Sequence, residues 1–581
     1  MGHYYTNEKN IQILIALLKK HGIRKVIASP GTTNMTFVGS IQYDPYFEIY
    51  SCVDERSAAY MACGLAAETG GPVVLTCTGA TASRNYLPGL TEAFYRKLPL
   101  LAVTSTQIIS KIGHNIAQVI DRSSTPKDVV KLSVTLPVVN DDDDFWDCEI
   151  KANKAILELK HYGGGPVHIN LPTRYDKNFE TKELPSVRFI DRITQSDKFP
   201  ELPKGRIAIF IGSHCKMTKE QTLIIDEFCS AHNAVVFCDH TSGYKGKYRV
   251  MFSLATYQQG SPISRFVPDL LIHIGEISGD NTGYIINSKK IWRISEDGEI
   301  RDTYRKLQYI FEMPEEVFFK HFLMNVTQGD DSYLENCKKH LCQLNNKIPK
   351  LPFSNIWIAA QMANKLPENS VIHFGILNTL RSWNFFEIPH SVMSYSNVGG
   401  FGIDGDISAL IGASLANKKK LYFGIVGDLA FFYDMNAIGN RQVCNNLRIL
   451  LINNGKGVEF KNFNHPVAAF GKDADNFMAA AGHFGNKSQN LIKHYSQDLG
   501  FEYLCAKNKE EFEKIYRHFL MPEITDVPML FEVFTNDYDE SNALKLMMNL
   551  EQTLEGKTKT VVKQIIGDNG VKMIKKIIKN N

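Results

Sequence analysis

Two polar, glycine-containing turns close aliphatic runs in the last third of the chain. The first reads Ile425-Val426-Gly427-Asp428-Leu429, and the second Ile449-Leu450-Leu451-Ile452-Asn453-Asn454-Gly455. A short aliphatic run that breaks into such a turn has the pattern of a buried parallel strand and the loop at its carboxyl end. In open α/β sheets that end is where ligands bind. One carboxylate and one or two amide oxygens from adjacent strand ends suit a hard cation. Mg²⁺ prefers oxygen ligands in near-octahedral geometry and shares them with phosphate groups. The pair therefore predicts a Mg²⁺-held phosphate compound. Either turn alone is ordinary, since Gly-Asp and Asn-Asn-Gly are common turn sequences. Their pairing across about two dozen residues carries the information.

A third chemical group lies far upstream. Asp54-Glu55-Arg56 follows a segment read as a strand ending at Val53 and precedes a small-residue helical pattern starting near Ser57. Glu55 is expected in the turn between them, where the helix dipole favours a carboxylate.

Together these residues resemble the thiamine diphosphate superfamily, whose signature begins Gly-Asp-Gly and ends Asn-Asn. Leu429 stands where the signature has its second glycine. The resemblance implies thiamine diphosphate and Mg²⁺ as cofactors. It makes Asp428 and Asn454 the side-chain ligands of the metal and the Lys456 carbonyl a third. It gives Glu55 the role of sharing a proton with the aminopyrimidine ring. The segments Val73–Thr81, with Thr78, and Gly165–Pro172 resemble the superfamily's pyrimidine-binding domain.

Within the superfamily the likeness is to the family that makes 2-succinyl-5-enolpyruvyl-6-hydroxy-3-cyclohexene-1-carboxylate in menaquinone biosynthesis. Ser29-Pro30-Gly31, Asp54-Glu55-Arg56, Asn397-x-Gly399, Gly402-Ile403-Asp404-Gly405 and the two turns carry it, from Ala28 to about Phe534. The resemblance makes Ile403 the bulky residue beneath a bent cofactor. Asn378 and Thr379, expected to end the strand His373–Leu377, could donate to the diphosphate. Gly402, Gly427, Leu429 and Val458 complete the expected cofactor contacts.

Departures from that family concern substrate more than cofactor. Thr32-Thr33-Asn34 replaces a Ser-Arg pair, and Val398 replaces an arginine. Gly279-Asp280-Asn281-Thr282-Gly283-Tyr284 lacks the Lys-Arg pair of the related middle domain. A lost charge-assisted hydrogen bond costs about 1.5–3 kcal/mol. A substrate pair less acidic than 2-oxoglutarate and isochorismate is therefore expected. Arg381 is the candidate replacement clamp for a carboxylate. Thr32, Thr33 and Gln118 are candidate substrate contacts, with Gln118 matching a substrate-side glutamine of the family. His114 is a candidate proton donor, since histidine exchanges protons near neutral pH. Glu459 stands where the family has an aliphatic residue. In a partly apolar pocket its carboxyl group would be raised toward use as an acid.

The expected activity is decarboxylation of a 2-oxo acid and transfer of the acyl-anion equivalent to a carbonyl or enone acceptor. The menaquinone-pathway activity with altered clamps, a phosphonopyruvate-type or simple decarboxylase, and a non-catalytic binding paralogue are the alternatives. The resemblance also implies a homodimer or homotetramer with active sites shared between chains.

The elements that must position these groups repeat a βα order, which argues for α/β architecture with doubly wound parallel sheets. Three such domains are expected: pyrimidine-binding at 1–180, a middle Rossmann-like domain at 200–340, and diphosphate- and Mg²⁺-binding at 350–540. A basic helical tail follows at 541–581. The middle domain has no Gly-x-Gly-x-x-Gly, so a structural role is expected there. The 173–204 stretch, charged and proline-containing, reads as a linker.

Bulk properties are ordinary for a soluble globular protein. Of 581 residues, 44% are hydrophobic and 22% charged, and the net charge is +3. That charge is too small to imply nucleic-acid or membrane-surface binding. No apolar run is long enough to span a bilayer. Eleven cysteines without a Cys-x-x-Cys pair favour free thiols. With no apolar signal-peptide region near Met1, a cytoplasmic location is expected.

Overall fold

A computed structural model describes residues 4–259, 263–324, 329–482 and 488–551. Three parallel sheets with flanking helices organise it, an α/β architecture. The contacts divide it into two compact units, Met1–Phe199 with Asp297–Glu312, and Pro200–Glu296 with Met313–Asn581.

In the first unit, six strands form a parallel sheet. They are β1 (Lys25–Ala28), β2 (Glu48–Ser51), β3 (Val73–Cys77), β4 (Leu100–Thr106), β5 (Leu132–Thr135) and β6 (Val167–Pro172), ordered β2-β1-β3-β4-β6-β5. β3, β4 and β6 are buried along their whole length. That accounts for their continuous Val/Leu/Ile character, because a parallel strand covered on both faces cannot alternate. The stretch read as a linker holds β7 (Asp191–Thr194), which pairs parallel with β13 (Leu307–Glu312). Charge hid it: Asp191 and Arg192 occupy half of this short strand.

The helix Glu55–Thr69 packs on the helix Leu87–Arg96 through very small residues. A Cβ added to Gly89 would lie 2.4 Å from the Ala59 Cβ and 2.9 Å from its carbonyl carbon. Only glycine at 89 permits this approach of the two backbones.

In the second unit, five strands are parallel in the order β10-β9-β8-β11-β12: β8 (Ile207–Ile211), β9 (Ala234–Cys238), β10 (Arg249–Val250), β11 (Leu270–Ile274) and β12 (Ile291–Ile294). The polar stretch after them contains the helix Ser332–Asn345, which buries Tyr333, Leu334, Cys337, His340 and Leu344 on one face. The other sheet of this unit contains β14 (Val371–Phe374), β15 (Met393–Ser396), β16 (Tyr422–Gly427), β17 (Leu447–Asn453), β18 (Glu502–Ala506) and β19 (Met529–Phe534). Its order is β15-β14-β16-β17-β19-β18. β16 pairs with β17 from Tyr422↔Leu447 to Gly427↔Ile452. This register sets the two polar turns side by side at the carboxyl edge. β17 is wholly buried, including Arg448, whose guanidinium donates to the carbonyls of Asn445 and Glu523.

The last described helix is Asp537–Met547. The lysine-rich part of the expected tail, 552–581, lies outside the described residues. Among the described residues no helix is long and apolar enough to cross a membrane.

Substituting Gly89→Ala should force the two helices apart and destabilise the first unit by about 1–3 kcal/mol, the usual cost of overpacking. Thermal unfolding followed by circular dichroism checks this; an unchanged midpoint would contradict the packing described.

Candidate functional site

At the carboxyl edge of the last sheet, β14, β16 and β17 end together around a cavity of about 130 Å³. The Gly427-Asp428 turn opens a six-residue helix, Asp428–Tyr433. Asp428 is 1% exposed. Its Oδ2 accepts the backbone N–H of Gly455 at 2.8 Å, which ties the β16 turn to the β17 turn. A carboxylate removed from water requires such donors, or a cation, to offset lost hydration. Gly455 takes φ +81°, a left-handed conformation that glycine adopts without strain. Within the turn the Asn454 Oδ1 accepts the Lys456 N–H at 3.4 Å.

Gly427, Asp428, Leu429, Asn454, Lys456, Val458, Glu459, Asn378, Thr379 and Ile403 all line this cavity. Residues far apart in sequence thus converge on one sheet edge. Gly402 is next to Ile403 but is outside the lining. Asn378 and Thr379 do not end a strand as expected. β14 stops at Phe374, and Asn378 opens the helix Asn378–Trp383. The chain reverses at Leu377, with φ +66°, an unfavourable conformation for a side chain of that size. Three oxygen donors at the two turns, a carboxylate, an amide and a backbone carbonyl, match the ligand preference of Mg²⁺. A divalent ion shared with a diphosphate fits this donor set, and the Ile403 side chain supplies an apolar wall beside it.

Two expected roles are corrected here. Arg381 is not an uncommitted cation, and Glu459 is not a carboxyl group in apolar surroundings. They bind each other through two parallel hydrogen bonds of 2.8 and 2.7 Å. Their separation of 78 positions leaves no local sequence signal of this pairing. Lys456 presents its backbone to the turn, while its ammonium group is held by Asp475 and Asp537 at 3.2 and 3.1 Å.

Other groups were not anticipated. Asn355 lines the cavity and bridges Thr379 Oγ1 and the Trp383 indole N–H, at 3.3 and 3.2 Å. Its backbone N–H donates to the buried Glu540 at 3.0 Å. Burial raises the Glu540 carboxyl to about 7, against hydrogen bonds from Thr535 and Asn355. Behind Gly375, Asp406 is 5% exposed and accepts from Asn397 at 3.1 Å. Burial, then the nearby Asp434, raises its carboxyl to about 7. The Gly402-Ile403-Asp404-Gly405 run pointed near Asp406; nothing local marks Asn355.

In the first unit, Glu55 is the first residue of its helix rather than a turn residue. Asp54 is the cap, its Oδ1 accepting the N–H groups of Arg56 and Ser57 at 2.8 and 3.2 Å. Capping by Asp54 explains the earlier helix start. Glu55 lies near the buried Tyr86 and Cys77, which feel its charge; burial is the larger reason both are raised. Thr33, expected at substrate, is 4% exposed and instead ties its own loop together. Its hydroxyl meets that of Thr78, reaches the Ser105 carbonyl at 3.3 Å and accepts the Gly79 N–H at 3.2 Å. Thr32, His114 and Gln118 are exposed, and Gln118 has φ +63°.

A larger cavity of about 490 Å³, lined by Arg206, Arg265, Tyr333 and His340 among others, contains none of the motif residues.

Comparison with known proteins identifies the family. Residues 9–125 match the family described as thiamine pyrophosphate enzyme, N-terminal TPP binding domain, a span that contains Glu55 and Thr78. The chain is 31% identical over 567 residues to the 2-succinyl-5-enolpyruvyl-6-hydroxy-3-cyclohexene-1-carboxylate synthase of Bacteroides fragilis, covering 93% of this chain and 98% of that protein. The synthase of Phocaeicola vulgatus is also 31% identical, with the same coverage of each chain. That of Flavobacterium psychrophilum is 28% identical, covering 90% and 95%. With identity above 30% along nearly its full length, the chain belongs to the 2-succinyl-5-enolpyruvyl-6-hydroxy-3-cyclohexene-1-carboxylate synthase family of thiamine diphosphate-dependent decarboxylating carboligases.

Proposed function

We propose that this chain holds thiamine diphosphate through Mg²⁺ at Asp428, Asn454 and the Lys456 carbonyl, and uses it to join a 2-oxo acid to an acceptor. The reaction releases CO₂ and passes the remainder of the 2-oxo acid to a carbonyl or enone carbon. When bound, the cofactor supplies the electron sink that makes loss of CO₂ possible. The observation that carries the reading is the contact between the buried Asp428 and Gly455, which unites both halves of the motif beside Ile403.

The remaining roles follow the residue chemistry. Asn378 and Thr379 offer polar groups to the diphosphate, and Gly427, Leu429 and Val458 pack beside it. Ile403 supports the bend of the cofactor. Glu55 holds a proton at the aminopyrimidine edge, with Thr78 in the same half-site. His114 and Gln118, exposed and four residues apart, are positioned to meet substrate from the first unit. Residues 1–180 act as the pyrimidine-binding domain, 200–340 as the middle domain and 350–540 as the diphosphate-binding domain. A homodimer or homotetramer, in which Glu55 of one chain serves Asp428 of another, supplies the complete site. The cytoplasm, where 2-oxo acids arise, is the proposed location.

The names of the relatives specify their product. For this chain we favour a less acidic substrate pair, because Thr32, Val398 and the 279–284 loop offer no cation and Arg381 is engaged by Glu459. The relatives' own reaction is the second reading, favoured by identity along nearly the whole chain.

Two substitutions test the cofactor roles. Asp428→Ala should weaken thiamine diphosphate binding in the presence of Mg²⁺ by at least about a hundredfold, the effect of losing a charged ligand; calorimetry measures it, and unchanged affinity would remove Asp428 from the metal site. Glu55→Gln should keep that affinity but lower CO₂ release by about 10²–10⁴-fold, the usual contribution of a positioned acid or base. An active Glu55→Gln enzyme would rule out the proton role.

A further inference from the structure

Glu459, on the wall of the cavity in the second unit, is paired with Arg381, which stands outside the lining. Arg381 Nη1 donates to Glu459 Oε2 at 2.8 Å, and Nη2 to Oε1 at 2.7 Å. Their side chains are 19% and 17% exposed. Two parallel bonds between guanidinium and carboxylate form the most directional ion pair available to side chains. Burial opposes the charge on Arg381, but Glu459 and Tyr257 outweigh it and hold the guanidinium above its ordinary range. Asn462 Nδ2 approaches Glu459 Oε2 at 3.5 Å from the other side.

Gly279 lies so close to Leu380 and Val398 that an added Cβ would be 2.3 Å from the first and 3.2 Å from the second. Asp280 accepts from Ser253 Oγ at 2.9 Å and from the Thr282 N–H at 3.3 Å. Lys456, the other cation here, is committed to Asp475 and Asp537. Among the described residues of this wall, each cation therefore has an acidic partner.

We propose that the Arg381–Glu459 pair determines the substrate class, selecting a 2-oxo acid with an uncharged, hydroxyl-bearing or short side chain over one with a second carboxylate. The proposal rests on the carboligase reading above. A hydroxyl group can donate to a remaining lone pair of Glu459 while the fork stays closed. A second carboxylate has no such option. It must either lie against Glu459 or displace it from Arg381, leaving a partly buried carboxylate without its counter-charge, and separating such a pair is unfavourable. The pair thus works as a filter, closed to dicarboxylic donors by Glu459.

CO₂ release by the full chain, with thiamine diphosphate and Mg²⁺, tests this with pyruvate, hydroxypyruvate and 2-oxoglutarate. In the unmodified enzyme, kcat/KM for pyruvate or hydroxypyruvate should exceed that for 2-oxoglutarate by at least about tenfold, the discrimination of one charge-assisted contact. Glu459→Gln frees Arg381 and should shift this ratio toward 2-oxoglutarate by at least about tenfold. The double variant Arg381→Met, Glu459→Leu removes both charges and should not shift it that way. A merely structural pair would lower all three rates together. A preference of the unmodified enzyme for 2-oxoglutarate overturns the inference even if a variant fails to fold. So does a ratio unmoved by Glu459→Gln while CO₂ is still released, and that result leaves the carboligase reading standing. Cofactor binding without CO₂ release from any of the three acids overturns both.

Discussion

A carboxylate taken out of water must be given partners, and Asp428 is almost wholly removed from solvent at the end of β16. The Gly455 N–H supplies one, and that hydrogen bond fixes the neighbouring turn against it. The arrangement depends on the parallel register of β16 and β17, which brings both strand ends to the same edge. The buried Val and Ile residues that make these strands also fix where they stop. Beyond the stop, the oxygens gathered at the two turns have the chemistry of a Mg²⁺–diphosphate site.

Around that centre the cavity wall divides by chemistry. Ile403 and Val458 are apolar, Asn378, Thr379 and Asn355 are polar and neutral, and among the described lining residues the cation, Lys456, is held by acids. Such a wall suits a cofactor whose charge is met by the metal. It provides little for an additional substrate carboxylate. Membership of the synthase family and departure in the substrate corner are therefore compatible. The sheet edge proposed to hold the cofactor and the helix and loop proposed to meet the substrate are different pieces of chain, free to change separately.

Much of this was readable from the sequence because its signals are local. An aliphatic run followed by a polar glycine turn marks β16 and β17, and small residues after Asp54 mark a helix start. The error at Glu55 was a few residues, because an Asp cap moved the helix forward. The error at Asn378 arose because a non-glycine residue, Leu377, makes the turn. What stayed hidden is non-local. Arg381 and Glu459 look like a free cation and a free acid until the fold brings them together. Thr33 looks like a substrate contact until Thr78 and Ser105 close around it. Asn355 and Glu540, 185 residues apart, show no pattern at all before folding.

The central claim is that oxygens from two strand ends hold thiamine diphosphate only through a divalent cation. Titrating the full chain with thiamine diphosphate before and after removal of metal by EDTA, then after Mg²⁺ is restored, measures this most directly. The account predicts binding with Mg²⁺, its loss on chelation and its full recovery. Equal affinity with and without the metal, or no binding in either state, would contradict it.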